Sequence, residues 1–241
     1  MKLTIVIPTL NEEKDIYKTL SSIKDLADEI LVIDSGSTDK TIDIAKQYGA
    51  RVENHPFVSF SETRNFGDQE AKGEWVLSIE ADVFISPKLA IEIRAALDSE
   101  QYSAYFIPRL NLIWGKPIRH TDWGPKDDTH IWLYKKGSGV WKSLVHEEFH
   151  TNKPVGKIKN FLVHNNYENI SEFIEKLNRY SNLADKQKNK YPWWWFARDF
   201  FKRYFYKLGF LDGYHGLFLS YLQAVYYITL SVKNKSHENS I

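Results

Sequence analysis

Apolar residues in the first hundred positions fall into short unbroken runs separated by stretches of helical period. Residues 3–7 are an apolar, β-branched run that reads as a strand buried on both faces, and Pro8 and Asn11 punctuate its end. Ile16, Leu20 and Ile23 then recur at helical spacing. Residues 29–33 predict a second buried strand. Residues 34–39 (DSGSTD) predict a turn in which Ser37 or Thr38 caps a helix with Ile42, Ala45 and Tyr48 inward. Arg51 and Val52 open a short third strand. A helix is expected over 64–71, ended by Gly73, then a strand over 74–79 and a helix from Ser86-Pro87 with Leu89, Ile93 and Ala96 inward. Residues 1–97 thus alternate strand and helix, which predicts an α/β fold with a mainly parallel sheet and right-handed crossovers. Ligands of such sheets bind beyond the carboxyl ends of the strands, where residues 8–13, 34–39 and 80–82 fall.

The strict alternation stops after residue 100. Strands are expected over 102–109 and 131–134, with a loop rich in Trp, Gly and Asp between them. A Ser171-capped helix over 171–188 has Phe173, Ile174, Leu177 and Tyr180 inward. From Tyr191 the composition changes. On a helical wheel of residues 191–208, Trp193, Phe196, Ala197, Phe200, Tyr204 and Leu208 share one side, while Arg198, Asp199, Lys202 and Arg203 lie mostly on the other. Residues 217–232 are almost wholly apolar and Lys233 and Lys235 follow, but no uninterrupted run reaches the 18 or so residues of a conventional span. The apolar run at residues 3–7 is too short for a signal-peptide core.

Bulk properties remove some classes. A net charge of +1 gives no global basic field, which argues against nucleic acid as partner. The absence of cysteine excludes a disulfide scaffold and any Cys-ligated metal, and fits a reducing compartment. Aromatic residues are 15% of the chain and crowd towards its C-terminal part. Trp and Tyr beside Lys and Arg suit a membrane–water boundary, so residues 191–235 are expected to meet a membrane surface; packing on the rest of the chain, or a homo-oligomer, is the alternative.

The chemistry-bearing residues are individually ambiguous. Glu80-Ala81-Asp82 puts two carboxylates on one face of an extended chain, where they can present oxygens to a hard cation that also holds a diphosphate, or be plain loop charges. Residues 34–39 can accept hydrogen bonds from a base or ribose, or be a turn and a cap. In order and spacing together they are far more specific. Residues 6–13 (VIPTLNEE), 27–30 (ADEI), 32–39 (VIDSGSTD), Arg64-Asn65, 73–77 (GEWVL) and Glu80-Ala81-Asp82 closely resemble glycosyltransferase family 2, and within it bacterial enzymes that add sugars to lipopolysaccharide core or related envelope glycans.

That resemblance implies the GT-A fold, a Rossmann-like, mostly parallel sheet flanked by helices, here with a C-terminal aromatic amphipathic helical region. It implies a catalytic domain over 1–190, with a nucleotide-sugar-binding half (1–97) and an acceptor half (98–190), and membrane-interface or packing helices over 191–241. Pro8, Leu10 and Glu12 would line the nucleotide, and Ile33 with Asp34 or Ser35 would face base and ribose. Arg64 would lie near the diphosphate or sugar. Asp82 would be the principal ligand of a divalent metal, Mg or Mn, with Glu80 and Ala81 completing the donor-binding triplet. Glu80 stands where the family usually has Asp, and its longer arm can reach a ribose hydroxyl or a metal-bound water. Inverting transfer needs a carboxylate base. Asp128 is favoured, Asp127 is second and Glu147 is the rival. His146 can complete the metal or diphosphate site, whereas His164 reads as a satisfied core histidine. Related enzymes often have arginine where Trp132 stands.

The implied activity is transfer of a hexose or heptose from a nucleoside diphosphate sugar to a lipid-linked envelope glycan, by a protein lying peripherally on the cytoplasmic face of the inner membrane. A non-catalytic nucleotide-binding scaffold and a sugar nucleotidyltransferase are the alternatives. The latter should carry a Gly-rich, basic loop after its first strand, which residues 8–13 lack.

Overall fold

The apolar run at the head of the chain becomes β1 (Leu3–Thr9), and Leu3, Ile5, Val6 and Ile7 are shielded from solvent. Both faces of the strand are covered, so its hydrophobicity does not alternate. The computed structural model describes residues 1–143, 147–185 and 192–238. After β1 come α1 (Ile16–Ile23), β2 (Glu29–Asp34), α2 (Thr41–Gln47), β3 (Arg51–Asn54), α3 (Phe60–Glu70) and β4 (Trp75–Ser78). β1 pairs in parallel with β2 and β4, and β2 with β3, as the alternation of elements requires. Buried Glu29 ties this region together. It accepts from Thr4 Oγ1 at 2.6 Å, the Lys72 amide at 2.9 Å and Arg51 Nε at 3.0 Å. Burial opposes ionisation of Glu29, but these bonds outweigh it and hold the carboxyl below its ordinary value. Gly73 is required by proximity, since a Cβ there would fall 2.6 Å from the Thr4 amide nitrogen.

β5 (Val83–Phe84), α4 (Pro87–Leu97), β6 (Ala104–Ile113), β7 (Lys116–Pro117), β8 (Thr129–Lys135), β9 (Val140–Lys142), β10 (Glu148–His150), β11 (Val155–Lys157) and β12 (Leu162–Tyr167) follow. α4 starts as expected, with Ser86 Oγ accepting from the Leu89 amide at 3.2 Å. β8 is antiparallel to both β4 and β6, so the sheet order is β3-β2-β1-β4-β8-β6, continued by β12 and β5. The chain divides into two units. One contains residues 1–109 and 129–164, and its core is built on β1, β2, β4 and β8 with α1, α3 and α4. β9 and β10 form a separate ribbon in this unit, and Phe149 stacks on Tyr134 with ring centroids 3.9 Å apart.

The other unit contains residues 110–128 and the chain from residue 165 onward. Its helices are α5 (Ile170–Asp185), α6 (Trp195–Phe201) and α7 (Tyr214–Glu238), around a core of Ile113, Ile118, Tyr167, Phe173, Leu219 and Leu222. The cap of α5 is Asn169, which accepts from the Glu172 amide at 3.0 Å, and not Ser171 as expected. Buried Asp212 accepts from the amides of Arg119 (3.2 Å) and His120 (2.8 Å) and pairs with His120 Nδ1 at 3.1 Å. Gly216 must be glycine, because a Cβ would lie 1.8 Å from the Gly209 carbonyl oxygen.

The single helix expected over 191–208 is broken. α6 ends at Phe201, a π-helical turn covers Lys202–Tyr206 and a 3₁₀ turn covers Gly209–Asp212. The wider π turn shifts the register of side chains. Asp199 and Arg203, expected on the solvent side, are buried and paired at 2.7 Å, while Phe201 and Phe205 are exposed. Among the described residues no helix is long and apolar enough to cross a membrane.

Candidate active site

The loops after β1 and β2 are fastened to each other. Asn11, at φ 57°, donates its amide to Ser37 Oγ (2.9 Å) and accepts from the Thr38 amide (2.9 Å). The Glu12 amide donates to Thr41 Oγ1 at 2.8 Å, and the Glu13 amide to Asp39 Oδ2 at 3.1 Å. Asp34 is buried, and its Oδ2 accepts from the Gly36 and Ser37 amides, each at 2.9 Å. That carboxylate therefore shapes its own loop. Leu10 is exposed, Pro8, Glu12 and Ser35 are half-buried, and the Ile33 side chain is fully buried, leaving its backbone as what it can offer.

After β4 the chain turns through Glu80-Ala81-Asp82 into β5. Ala81 is packed inward and its carbonyl accepts from Thr19 Oγ1 at 2.6 Å, which leaves the flanking carboxylates together on the other side. β12 pairs antiparallel with β5 and brings buried His164 to them. His164 Nε2 lies 3.1 Å from Asp82 Oδ2 and 3.3 Å from Glu80 Oε2, and one ligand atom of each residue lies within 4.8 Å of the others. Two carboxylates and an imidazole are a donor set that suits Mg²⁺ or Mn²⁺. His164, read from sequence as a core histidine, is buried but faces two carboxylates. His146 lies outside the described residues.

Beside this cluster is Arg64 on α3, only 2% exposed. A buried guanidinium must be paired. Its Nε donates to Glu147 Oε1 at 3.0 Å and its Nη1 to Ser78 Oγ at 2.7 Å, and Nη2 lies 3.5 Å from Glu80 Oε1. Arg109 at the end of this unit's part of β6 reaches both Glu80 oxygens at 3.2 and 3.3 Å. The Trp132 ring carries both guanidinium groups, Arg64 at 5.3 Å and Arg109 at 5.5 Å from its centroid. Trp132 thus offers an indole on which arginines from α3 and β6 rest. Arg109 went unmarked in the sequence, where it is simply the last residue of a strand.

The candidate bases differ in what holds them. Glu147 is committed to Arg64. Asp127 forms an ion pair with Lys207, and the hydrogen bond from that pairing is the main reason the Lys207 ammonium sits above its ordinary pKa. Asp128 is buried, and its Oδ2 accepts from Asn111 Nδ2 at 2.8 Å. Asn111 is oriented in turn by the Trp123 carbonyl (2.8 Å) and by Asn166 Nδ2 (3.0 Å). A buried carboxylate held by an amide that two further groups orient has the form of a positioned base.

Asp68, on the α3 face towards β8, accepts from Tyr134 Oη at 2.7 Å, and Tyr134 Oη accepts from Trp141 Nε1 at 2.8 Å. Burial raises the Asp68 carboxyl to about 7, against the Tyr134 hydrogen bond and the Arg64 and Lys136 charges that lower it. The folded state thus holds this proton more tightly than the unfolded chain does, and its contribution to stability is lost as pH rises from about 4 to about 7. Asp68→Asn keeps the acceptor for Tyr134 and removes the titration. The melting temperature of the wild type, measured relative to Asp68→Asn, should therefore fall between about pH 4 and pH 7 and level off above that. Parallel curves for the two proteins would exclude Asp68 as the cause.

The fastened loops and the acidic–imidazole cluster lie beyond the carboxyl ends of the strands, where α/β sheets of this kind bind their ligands. Residues 4–156 match the sequence profile of Glycosyl transferase family 2, and the chain belongs to that family. It is a nucleotide-sugar transferase of the GT-A type, as expected from its motifs, which decides against the nucleotidyltransferase alternative. An uncharacterized glycosyltransferase of Rickettsia typhi is 31% identical over 238 residues, covering 88% of this chain and 80% of the relative. One of Rickettsia bellii is 30% identical over 237 residues, with the same coverage. Among solved structures, S. aureus TarS 1–349 is 17% identical, with 75% of this chain and 64% of that chain covered and a TM-score of 0.49.

Proposed function

We propose that this chain is an inverting, metal-dependent glycosyltransferase that moves a hexose or heptose from a nucleoside diphosphate sugar to a hydroxyl of a lipid-linked envelope glycan such as lipopolysaccharide core. The observation that carries the reading is the Glu80–Asp82–His164 cluster at the sheet's carboxyl edge, with Arg64 and Arg109 against Glu80. Glu80, Asp82 and His164 would hold the divalent cation, which when bound neutralises charge on the leaving diphosphate. Pro8, Leu10, Glu12 and the loop from Asp34 would receive the nucleotide. Asp128 takes the proton of the acceptor hydroxyl as its oxygen bonds to the anomeric carbon, and the nucleoside diphosphate leaves with the bonding pair, so the configuration inverts.

The acceptor's lipid anchor would place the protein peripherally on the cytoplasmic face of the inner membrane. Support comes from residues 191–235, where Arg198, Lys202, Arg203, Lys207, Lys233 and Lys235 stand against Asp199 and Asp212 among many aromatics. A panel of nucleoside diphosphates and their sugars, each with Mn²⁺ or with EDTA, tests the donor reading. A true donor at about a hundred times its dissociation constant should raise the melting temperature by roughly 5–10 °C, and EDTA should remove the rise. A chain that no nucleotide stabilises under either condition overturns the donor reading, and one that binds nucleotide equally with Mn²⁺ and with EDTA but transfers no sugar is the non-catalytic nucleotide-binding scaffold instead.

A further inference from the structure

Apolar side chains exposed in the second unit concentrate where α6 gives way to α7. Phe201, Phe205, Tyr206, Leu208, Phe210 and Leu211 are all exposed, Tyr206 to 79% and Phe201 to 59%. Ring contacts link three of them. Phe201 stacks on Phe205 at 5.7 Å, Phe205 meets Tyr204 at 5.0 Å, and Tyr204 meets Phe210 at 6.3 Å. The backbone brings this about by abandoning the α-helix. The π turn, Leu208 at φ 57° and the 3₁₀ turn present nearly successive residues outward, which a regular helix cannot do. A single exposed Leu needs no explanation, but six exposed apolar residues within one short stretch do.

The apolar run of residues 217–232 has a different fate. α7 buries Leu219, Leu222, Ala224 and Leu230 within its own unit and packs along α5 and α6. One face of it is thus structural, while Tyr214, Leu217, Tyr221, Ile228 and Val232 on the helix stay exposed.

We infer that the turn joining α6 to α7, residues 201–211, is the element that inserts into the lipid surface, and that α7 is its support. This rests on the membrane reading above and narrows it to one turn. Lipid is favoured as occupant by the company the aromatics keep. Lys202, with nearly half its side chain exposed, lies within the turn, and Arg198 one helical turn earlier rests on Trp195 at 4.3 Å, with Trp194 exposed beside it. Exposed Trp, Tyr and Phe with cations interspersed match the headgroup–acyl boundary of an anionic bilayer, where aromatic bodies sit below and ammonium groups meet phosphate. The shallow reach of such a turn also agrees with the lack of a spanning helix among the described residues.

Point substitution is the proper test, because deleting the segment would remove Arg203 and Lys207 from the residues they hold in this unit. The full chain is floated with phosphatidylcholine vesicles and with vesicles in which about a third of the lipid is phosphatidylglycerol. Wild type should float with the anionic vesicles at low salt. The triple variant Phe205→Ser, Phe210→Ser, Leu211→Ser should lose roughly 10- to 100-fold in partitioning, and Ile228→Ser with Val232→Ser, exposed positions on α7, should bind as wild type. Retained melting temperatures, and retained nucleotide stabilisation where the wild type has it, keep folding and the donor site out of the comparison. A triple variant that floats like wild type overturns the assignment of the turn while leaving the membrane reading standing. Wild type that stays unbound overturns both. A dimer that the triple variant converts to monomer, without vesicle binding in either, would make a second copy of this chain the occupant.

Discussion

Asp82→Ala should bring sugar transfer to background. If Asp82 holds the cation that neutralises the leaving diphosphate, its loss removes several kcal/mol of transition-state stabilisation, about 10²–10⁴-fold in rate. The fold should survive, because Asp82 lies in a turn between β4 and β5 and is only half-buried. His164 keeps Glu80 at 3.3 Å as a second partner. The expected pattern is near-normal melting temperature, a Mn²⁺ requirement displaced to much higher concentration, and turnover reduced at every concentration. Arg64→Lys should be milder but still damaging. Lysine cannot reproduce a guanidinium that faces Glu147, Ser78 and Glu80 at once. Turnover by Asp82→Ala equal to wild type, with metal still required, would remove Asp82 from the site.

Asp128→Asn separates binding from chemistry. The asparagine can turn its oxygen towards Asn111 and keep that hydrogen bond, but it cannot take a proton. Donor binding should be unchanged and turnover should fall by about 10²–10⁴-fold. Glu147→Gln should act otherwise. It withdraws a charge from buried Arg64, so it should weaken donor binding or stability more than the chemical step. Asp127→Asn should matter little, since it breaks a partly exposed ion pair with Lys207. Should Glu147→Gln keep donor binding and lose turnover while Asp128→Asn stays active, Glu147 is the base and Asp128 an oriented structural carboxylate.

Much of the sheet was legible because buried parallel strands advertise themselves. β1, β2 and β4 are continuous apolar runs, and the helices between them keep a clean period. The start of α3 was less so. It begins at Phe60, capped by Ser59 Oγ on the Glu62 amide at 3.2 Å. The Ser59-x-x-Glu62 spacing of a capping box was there to read, but exposed Phe57, Val58 and Phe60 around it blur the polar–apolar boundary. The carboxylates of the candidate site were visible because they follow a strand directly. His164 and Arg109 were not, because each is one residue of an ordinary strand whose position depends on pairings far apart in sequence: β12 with β5, and β6 with β8. The break in the helix after Phe201 was hidden for another reason. A wheel drawn with one period cannot register a π turn.

The discontinuity of the second unit bears on the order in which the protein is made. Residues 110–128 emerge from the ribosome long before the residues that hold them. Arg119 and His120 wait for Asp212, Asp122 for Arg203, and Asp127 for Lys207. Asn111, which orients Asp128, waits for Asn166. Residues 1–97 can complete their parallel strands early in synthesis, whereas the stretch carrying Asp128 is completed only by residues made later, Asn166 and Tyr167 first and Arg203, Lys207 and Asp212 after them. A nascent chain arrested before residue 200 would therefore carry the nucleotide-binding loops already fastened and the Asp128 segment still lacking its contacts to Arg203, Lys207 and Asp212. Donor capture and transfer competence would then be acquired at different moments in the life of each molecule, the second later than the first.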